Sequence, residues 1–259
     1  MSAAHGSTAP AEAFGERFTF EFGRVLAGIE AERAAFAGAD PFPHIVWDDF
    51  LTQESLLEAL AAFPGGDDPL WQIENFDVQG HKVSRKKACN EELRMPPAIR
   101  KILRELNSTL FLRYLSDLTQ IPHLLPDPSF IGSGMFLIEP GGFLNVHADF
   151  NVHFLNKLDR RLNLLLYLNL GWREEYGGHL ELWRAGEPAP TKSILPIANR
   201  CVIFATTDRS FHGHPTPLSC PPGRSRNCLS LYYYTNGRPE TERSDEHNTL
   251  WTKNAAANP

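Results

Sequence analysis

The stretch GGFLNVHADFN at residues 141–151 sets His147 and Asp149 two positions apart in what reads as a strand. Residues two apart on a strand share a face, so an imidazole and a carboxylate project together, with Asn145 and Phe143 alongside. A carboxylate with no partner is costly inside a barrel, and a metal cation removes that cost. Two histidines and one carboxylate on one face, with the remaining positions open, are the ligand set of iron(II) sites that work with oxygen. The missing ligand should then be a histidine from a distant strand. TTDRSFHGHP at 206–215 supplies His212 and His214, which share a face if the segment is extended. His212 is taken as the ligand, and His214 as a group behind the ligands or on the substrate side. A lone histidine is more simply a hydrogen-bonded structural residue, and H-x-D by itself recurs by chance. The two together on separate strands carry the signal.

The next strand adds a cation. RSRNCLSLYYYT at 224–235 alternates so that Arg226, Cys228, Ser230 and Tyr232 share a face. A buried guanidinium cannot shed its charge and needs an anion, and no acidic residue in the neighbouring runs stands at a matching depth. A small dicarboxylate would supply that anion through a bidentate pair. Arg224, in the preceding turn, fits a surface ion pair better. In RRLNLLLYLNL at 160–170, Asn163, Leu165, Tyr167 and Asn169 alternate with Leu162, Leu164, Leu166 and Leu168. The leucine face is expected to lie under helices, which turns Tyr167 and Asn163 towards the barrel cavity and makes them, with Arg226, the candidate binders of an organic cofactor.

Elements of two kinds must position these groups. Up to about residue 121 the pattern is helical. Residues 13–38 carry mixed helical spacing, 52–63 open on Thr52 as an N-cap, and 96–121 form a long periodic run with prolines at its start and a break near Asn107-Ser108. PFPHIVWDDFL at 41–51 is strand-like. From about 129 onward come short apolar or alternating runs parted by Gly, Pro, Asn and Asp, including SFIGSGMFLIEP and GFLNVHADF as separate strands. Many short strands at regular spacing mark a sandwich or barrel. The expected fold class is therefore α+β, mainly β: helices first, packed on one sheet of an antiparallel double-sheet barrel. Residues 1–12 read as a flexible leader, 13–235 as one domain with helical support over 13–121 and the barrel core over 129–235, and 236–259 as a loosely held polar tail.

Composition bounds the partners. The chain has 259 residues and a formal charge of −6, which argues against a general nucleic-acid binder. The one basic cluster, HKVSRKK at 81–87, reads as a solvated loop. No apolar run reaches the roughly eighteen residues of a membrane span, and the N-terminus lacks the pattern of a secretory signal. Cys89, Cys201, Cys220 and Cys228 form no C-x-x-C pair and no disulfide framework, which suits a reducing, cytoplasmic setting.

With these pieces in order, the chain resembles the iron(II)/2-oxoglutarate-dependent dioxygenases, in particular their prolyl 4-hydroxylase-like branch. The resemblance is carried by PFPHIVWDDFL, PGGFLNVHADFN, RRLNLLLYLNLGW, YGGHLELW, NRCVIFATTDRSFHGHP and RSRNCLSLYYYT, over roughly residues 41–235. It implies a double-stranded β-helix, or jelly roll. It implies Fe(II) held by His147, Asp149 and His212, 2-oxoglutarate with its distal carboxylate on Arg226 and Tyr167, O2 as the oxidant, and ascorbate as a stimulant. It implies hydroxylation of a small-molecule, carrier-bound or peptidyl substrate with release of succinate and CO2; related halogenases lack the carboxylate that Asp149 supplies. Two departures from the pattern are Glu139, where many relatives carry tyrosine before the Pro-Gly turn, and a longer interval from His212 to Arg226, which keeps His214 in play as a ligand. Residues 65–95 and 150–160 are the expected lids, the second adding His153, read as a loop residue. The reading from another class is a cupin-like metal- or ligand-binding barrel without turnover, for which Arg226 and Tyr167 would have no use.

Overall fold

The computed structural model describes residues 18–21, 23, 27–74, 83–127 and 129–252. Helices α1 (Ile29–Ala37), α2 (Gln53–Ala62), α3 (Pro97–Leu106) and α4 (Thr109–Thr119) come mostly before the strands of the barrel. Thr52 caps α2 by accepting from the Ser55 amide at 3.3 Å, and Ser108 caps α4 by accepting from the Phe111 amide at 3.3 Å. The expected run over 96–121 is thus two helices, parted where a serine can satisfy the first free N–H groups of the second. The leader at 1–12 and the start of the expected first helix lie outside the described residues.

The strands are β1 (His44–Trp47), β2 (Gln72–Glu74), β3 (Val83–Cys89), β4 (Gly134–Ala148), β5 (Asp159–Tyr167), β6 (Leu180–Trp183), β7 (Lys192–Ile194), β8 (Cys201–Ala205), β9 (Phe211–His214), β10 (Arg226–Thr235) and β11 (Leu250–Trp251). They form one antiparallel curled sheet in the order β1-β8-β5-β10-β4-β9-β6-β7, with β3 and β11 also on β4 and β2 on β3. β4 makes the curl possible. Its first part, at 134–138, pairs with β10, and its second part, at 144 and 147, pairs with β9. One strand therefore belongs to both walls of a jelly roll, and the strands on either side of it face each other across the interior.

Three sequence expectations change here. SFIGSGMFLIEP and GFLNVHADF form one strand, because the chain stays paired through Pro140-Gly141-Gly142. Arg85 Nη1 donates to Pro140 O at 2.7 Å, Gly141 N donates to Leu218 O at 2.8 Å, and Leu218 N donates to Gly142 O at 3.0 Å. The basic run at 81–87 is not a loop from Val83 on: it is β3, bulged at Arg85, where φ is 52°. Finally, the segment after Asn236 comes back to the sheet, with Leu250 and Trp251 opposite Ala148 and His147.

The helices cover one face of the sheet. Ile99, Ile102, Leu103, Leu106, Phe111, Leu115 and Leu118 pack with Leu162, Leu164, Leu166, Leu229, Leu231 and Tyr233 in one buried cluster. Burial of each large apolar side chain contributes about 1.5–3 kcal/mol. The alternation of β5 thus does as expected: leucines under the helices, the opposite face free to line a cavity. Among the described residues no helix is long and apolar enough to cross a membrane.

Candidate metal centre and its cavity

His147 and His212 are cross-strand partners on β4 and β9, with ring centroids 4.5 Å apart. The close approach of the two strands depends on Gly213, where a Cβ would meet Leu144 O at 2.8 Å and Asn145 O at 2.9 Å. Each ring is fixed by the carbonyl two residues before it. His147 Nδ1 lies 2.8 Å from Asn145 O and His212 Nδ1 lies 3.0 Å from Ser210 O. A carbonyl only accepts, so Nδ1 is the protonated nitrogen in both rings and each Nε2 keeps its lone pair. Both lone pairs face Asp149: His147 Nε2 is 3.4 Å from Oδ1, and His212 Nε2 is 3.5 Å from Oδ2. One donor atom from each of the three residues falls within 4.8 Å of the others. Two anchored imidazoles and a carboxylate aimed at one point fit a divalent transition metal.

The carboxylate is held from behind. Asp149 Oδ2 accepts from Arg160 Nη2 at 2.9 Å and from Asn163 Nδ2 at 2.7 Å. Arg160 in turn donates from Nε and Nη2 to Asn163 Oδ1 at 3.0 and 2.8 Å, and its guanidinium lies 3.3 Å from the centre of the Tyr232 ring. Burial alone would raise the Asp149 carboxyl, but Arg160, His212 and His147 together hold it well below the usual carboxylate range. Burial pushes His212 down to about 4, against the pull of Asp149. The trio therefore offers an anion at Asp149 and a neutral imidazole at His212.

A cavity of about 320 Å³ joins this trio to Arg226. Arg226 is buried at the start of β10, donating from Nε to Gly178 O at 2.7 Å and from Nη2 to the Tyr167 hydroxyl at 3.2 Å. Gly178 has φ +71°, and a Cβ there would press on Leu218 Cδ2 at 2.5 Å and Arg226 Cδ at 3.0 Å. Tyr167 is fully buried behind Arg226; burial raises its phenol, opposed by Arg226. Ile138 of β4 pairs with Arg226 on one side and Lys86 of β3 on the other, so the three share one row. Lys86 also lines the cavity, with Nζ 3.8 Å from the centre of the Phe136 ring.

The sequence candidates sort as follows. His147, Asp149, His212, Asn163 and Arg226 all line one cavity, with Asn163 engaged on Asp149 and Arg160. His214 lines it too, outside the trio. Glu139 instead takes Lys87 Nζ at 2.6 Å. His153 is buried in its loop, 3.0 Å from Ser129 Oγ and accepting from the Asn156 amide at 3.2 Å. Of the expected lids, residues 75–82 lie outside the described residues. Arg160 and Lys86 were missed. Between Tyr233 and Tyr234 the β10–β5 register slips, so that Leu162 and then Arg160 face successive partners. That slip turns Arg160 from the leucine face to the cavity face, which strict alternation forbids. Lys86 hid in a run that looked merely solvated.

Residues 134–234 match the model of the 2OG-Fe(II) oxygenase superfamily. A comparison with curated protein sequences finds no match. Among solved structures, a Pseudomonas putida prolyl-4-hydroxylase aligns with TM-score 0.54 and 18% identity, over 79% of this chain and 99% of that one. A Trichoplax adhaerens prolyl hydroxylase in complex with a hypoxia inducible factor peptide fragment gives 0.56 and 16%, over 83% and 94%. The non-heme alpha-ketoglutarate-dependent carbocyclase SnoK from nogalamycin biosynthesis gives 0.53 and 15%, over 79% and 83%. At these identities the likeness is one of fold.

Proposed function

We propose, from the match of residues 134–234 to the 2OG-Fe(II) oxygenase superfamily model, that the protein is an iron(II)- and 2-oxoglutarate-dependent hydroxylase. The observation that carries this reading is the single cavity that joins an anchored His-Asp-His trio to a buried arginine. When bound, iron(II) with 2-oxoglutarate and O2 supplies oxidative decarboxylation to succinate and CO2, with one oxygen atom entering a substrate C–H bond.

The chain's own residues do the placing. His147, Asp149 and His212 would hold the metal through three positions on one side, which leaves the other side for cosubstrate and oxygen. Their Nδ1–carbonyl bonds hold both imidazoles turned inward, with Nε2 towards the site. Arg160 and Asn163 fix Asp149 Oδ2, so the carboxylate does not swing. Arg226, itself oriented by Gly178 and Tyr167, would pair with the distal carboxylate of the diacid. The apolar wall of Phe136, Ile138, Leu144, Leu165 and Leu180 keeps the site dry and strengthens each charge contact. The cavity is at the small end of the roughly 300–1,000 Å³ typical of ligand sites. It suits the cosubstrate plus the reacting end of a substrate whose bulk stays outside, such as a peptidyl or carrier-bound group.

The test is succinate release from 2-oxoglutarate with iron(II), O2 and ascorbate, together with a mass-spectrometric search for substrates that gain one oxygen atom. Arg226→Ala should raise the KM for 2-oxoglutarate by at least about thirty-fold while leaving Mn(II) affinity unchanged. An Arg226→Ala protein with ordinary 2-oxoglutarate turnover would remove the cosubstrate assignment. A wild-type protein that binds metal but neither binds nor consumes 2-oxoglutarate would point instead to a non-catalytic barrel.

A further inference from the structure

Beside the metal trio and Arg226, the cavity holds a buried imidazole that neither accounts for. His214 stands two residues after His212 on β9 and lines the same cavity. It is 3% exposed, and neither Nδ1 nor Nε2 has a hydrogen-bond partner. It also lacks the anchor that marks the two metal-side imidazoles. His147 and His212 each bond the carbonyl two residues earlier; His214 does not. A buried imidazole with both nitrogens unsatisfied destabilises the empty fold, and a leucine would fill the same space without that cost. Its retention makes sense if a ligand completes it. The ligand's charge is indicated by the neighbours, since Arg226 and Lys86 act on His214 as nearby positive groups and both line the cavity.

We propose that His214 is a second side-chain contact, beside Arg226, for the distal carboxylate of the 2-oxo diacid, to which it donates one N–H. The inference rests on the oxygenase reading above and adds to it a determinant of cosubstrate specificity. With Arg226 alone the site would recognise one carboxylate edge. With His214 on β9, parted from β10 by β4, it grips the group from two walls of the barrel, which fixes the length of diacid that can also reach the metal.

The experiment measures binding on the Mn(II)-loaded protein under argon, by calorimetry, for 2-oxoglutarate and for 2-oxopentanoate, which lacks the distal carboxylate. In His214→Leu, 2-oxoglutarate should bind about ten- to a hundred-fold more weakly, while affinity for 2-oxopentanoate and for Mn(II) itself stays at the wild-type level. His214→Gln, which keeps a donor, should recover most of the loss. A general disturbance of the fold would weaken both keto acids alike, and a role as metal ligand would lower Mn(II) affinity; either result overturns the proposal. So does a leucine variant that binds 2-oxoglutarate as the wild type does. If the wild-type protein takes Mn(II) but no 2-oxoglutarate, the oxygenase reading falls, and this inference with it.

Discussion

Asp149 faces two demands. One oxygen is met by Arg160 and Asn163, and both oxygens lie near the imidazoles that would share a metal with it. Asp149→Ala therefore does more than delete a ligand: it strands Arg160, whose side chain is fully buried, without its anion. The metal-free Ala variant should lose about 3–5 kcal/mol of stability, read as a large fall in Tm. Asp149→Asn keeps an acceptor for Arg160, so it should lose Mn(II) affinity with a much smaller fall in Tm. His212 gives a pH dependence of definite sign. Its native pKa of about 4 lies below its ordinary value of about 6.5, so the unfolded chain binds the extra proton across that window. Stability of the metal-free protein is then complete above pH 6.5 and is lost as pH falls towards 4. Thermal melts at pH 7 and 4.5 should show this loss, and His212→Asn should reduce the slope. At this scale the sequence was most legible where spacing alone sets direction. His147 and Asp149 are two apart, and Arg226 begins a strand. It was least legible where a partner overrides spacing: Arg160 reaches Asp149 only because a bulge reverses its face.

Elements convert these contacts into geometry. β4 carries one metal ligand at its C-terminal end, faces β9 with the second, and through Ile138 sets the row that holds Arg226 and Lys86. Gly178, in the turn before β6, supplies the carbonyl that orients Arg226 and leaves room for its side chain. Gly178→Ala should therefore push Arg226 aside, weakening 2-oxoglutarate binding by about ten-fold or more on the scale of one charge-assisted hydrogen bond. Mn(II) affinity should not change, because the bonds that fix the trio come from Asn145, Ser210, Arg160 and Asn163 instead. Equal loss of both would show that the turn supports the whole barrel rather than Arg226. The switch from helical to strand periodicity near residue 129 was plain in the sequence. The continuity of β4 was not, because Pro140-Gly141-Gly142 looks like a turn until Arg85 and Leu218 are seen to occupy its backbone groups.

Across the whole molecule the two faces of the sheet divide the work. One is closed by helices α1–α4 over a leucine-rich cluster, and the other curls around the cavity. Helices first and barrel second could be read from the chain, since both periods persist over many residues. The return of the C-terminal segment could not, because β11 is only two residues long and its pairing with β4 is a purely long-range choice. That return brings the Trp251 ring to within 4.9 Å of the His147 ring, centre to centre. The protein thus carries a built-in optical gauge of occupancy. Of its five indoles, this one lies against a prospective ligand, and a paramagnetic cation held by His147 should dim its emission. Titrating Mn(II) into the wild type should quench a fraction of the tryptophan signal, and Trp251→Phe should abolish most of that change. Loading could then be followed in seconds, without label or substrate.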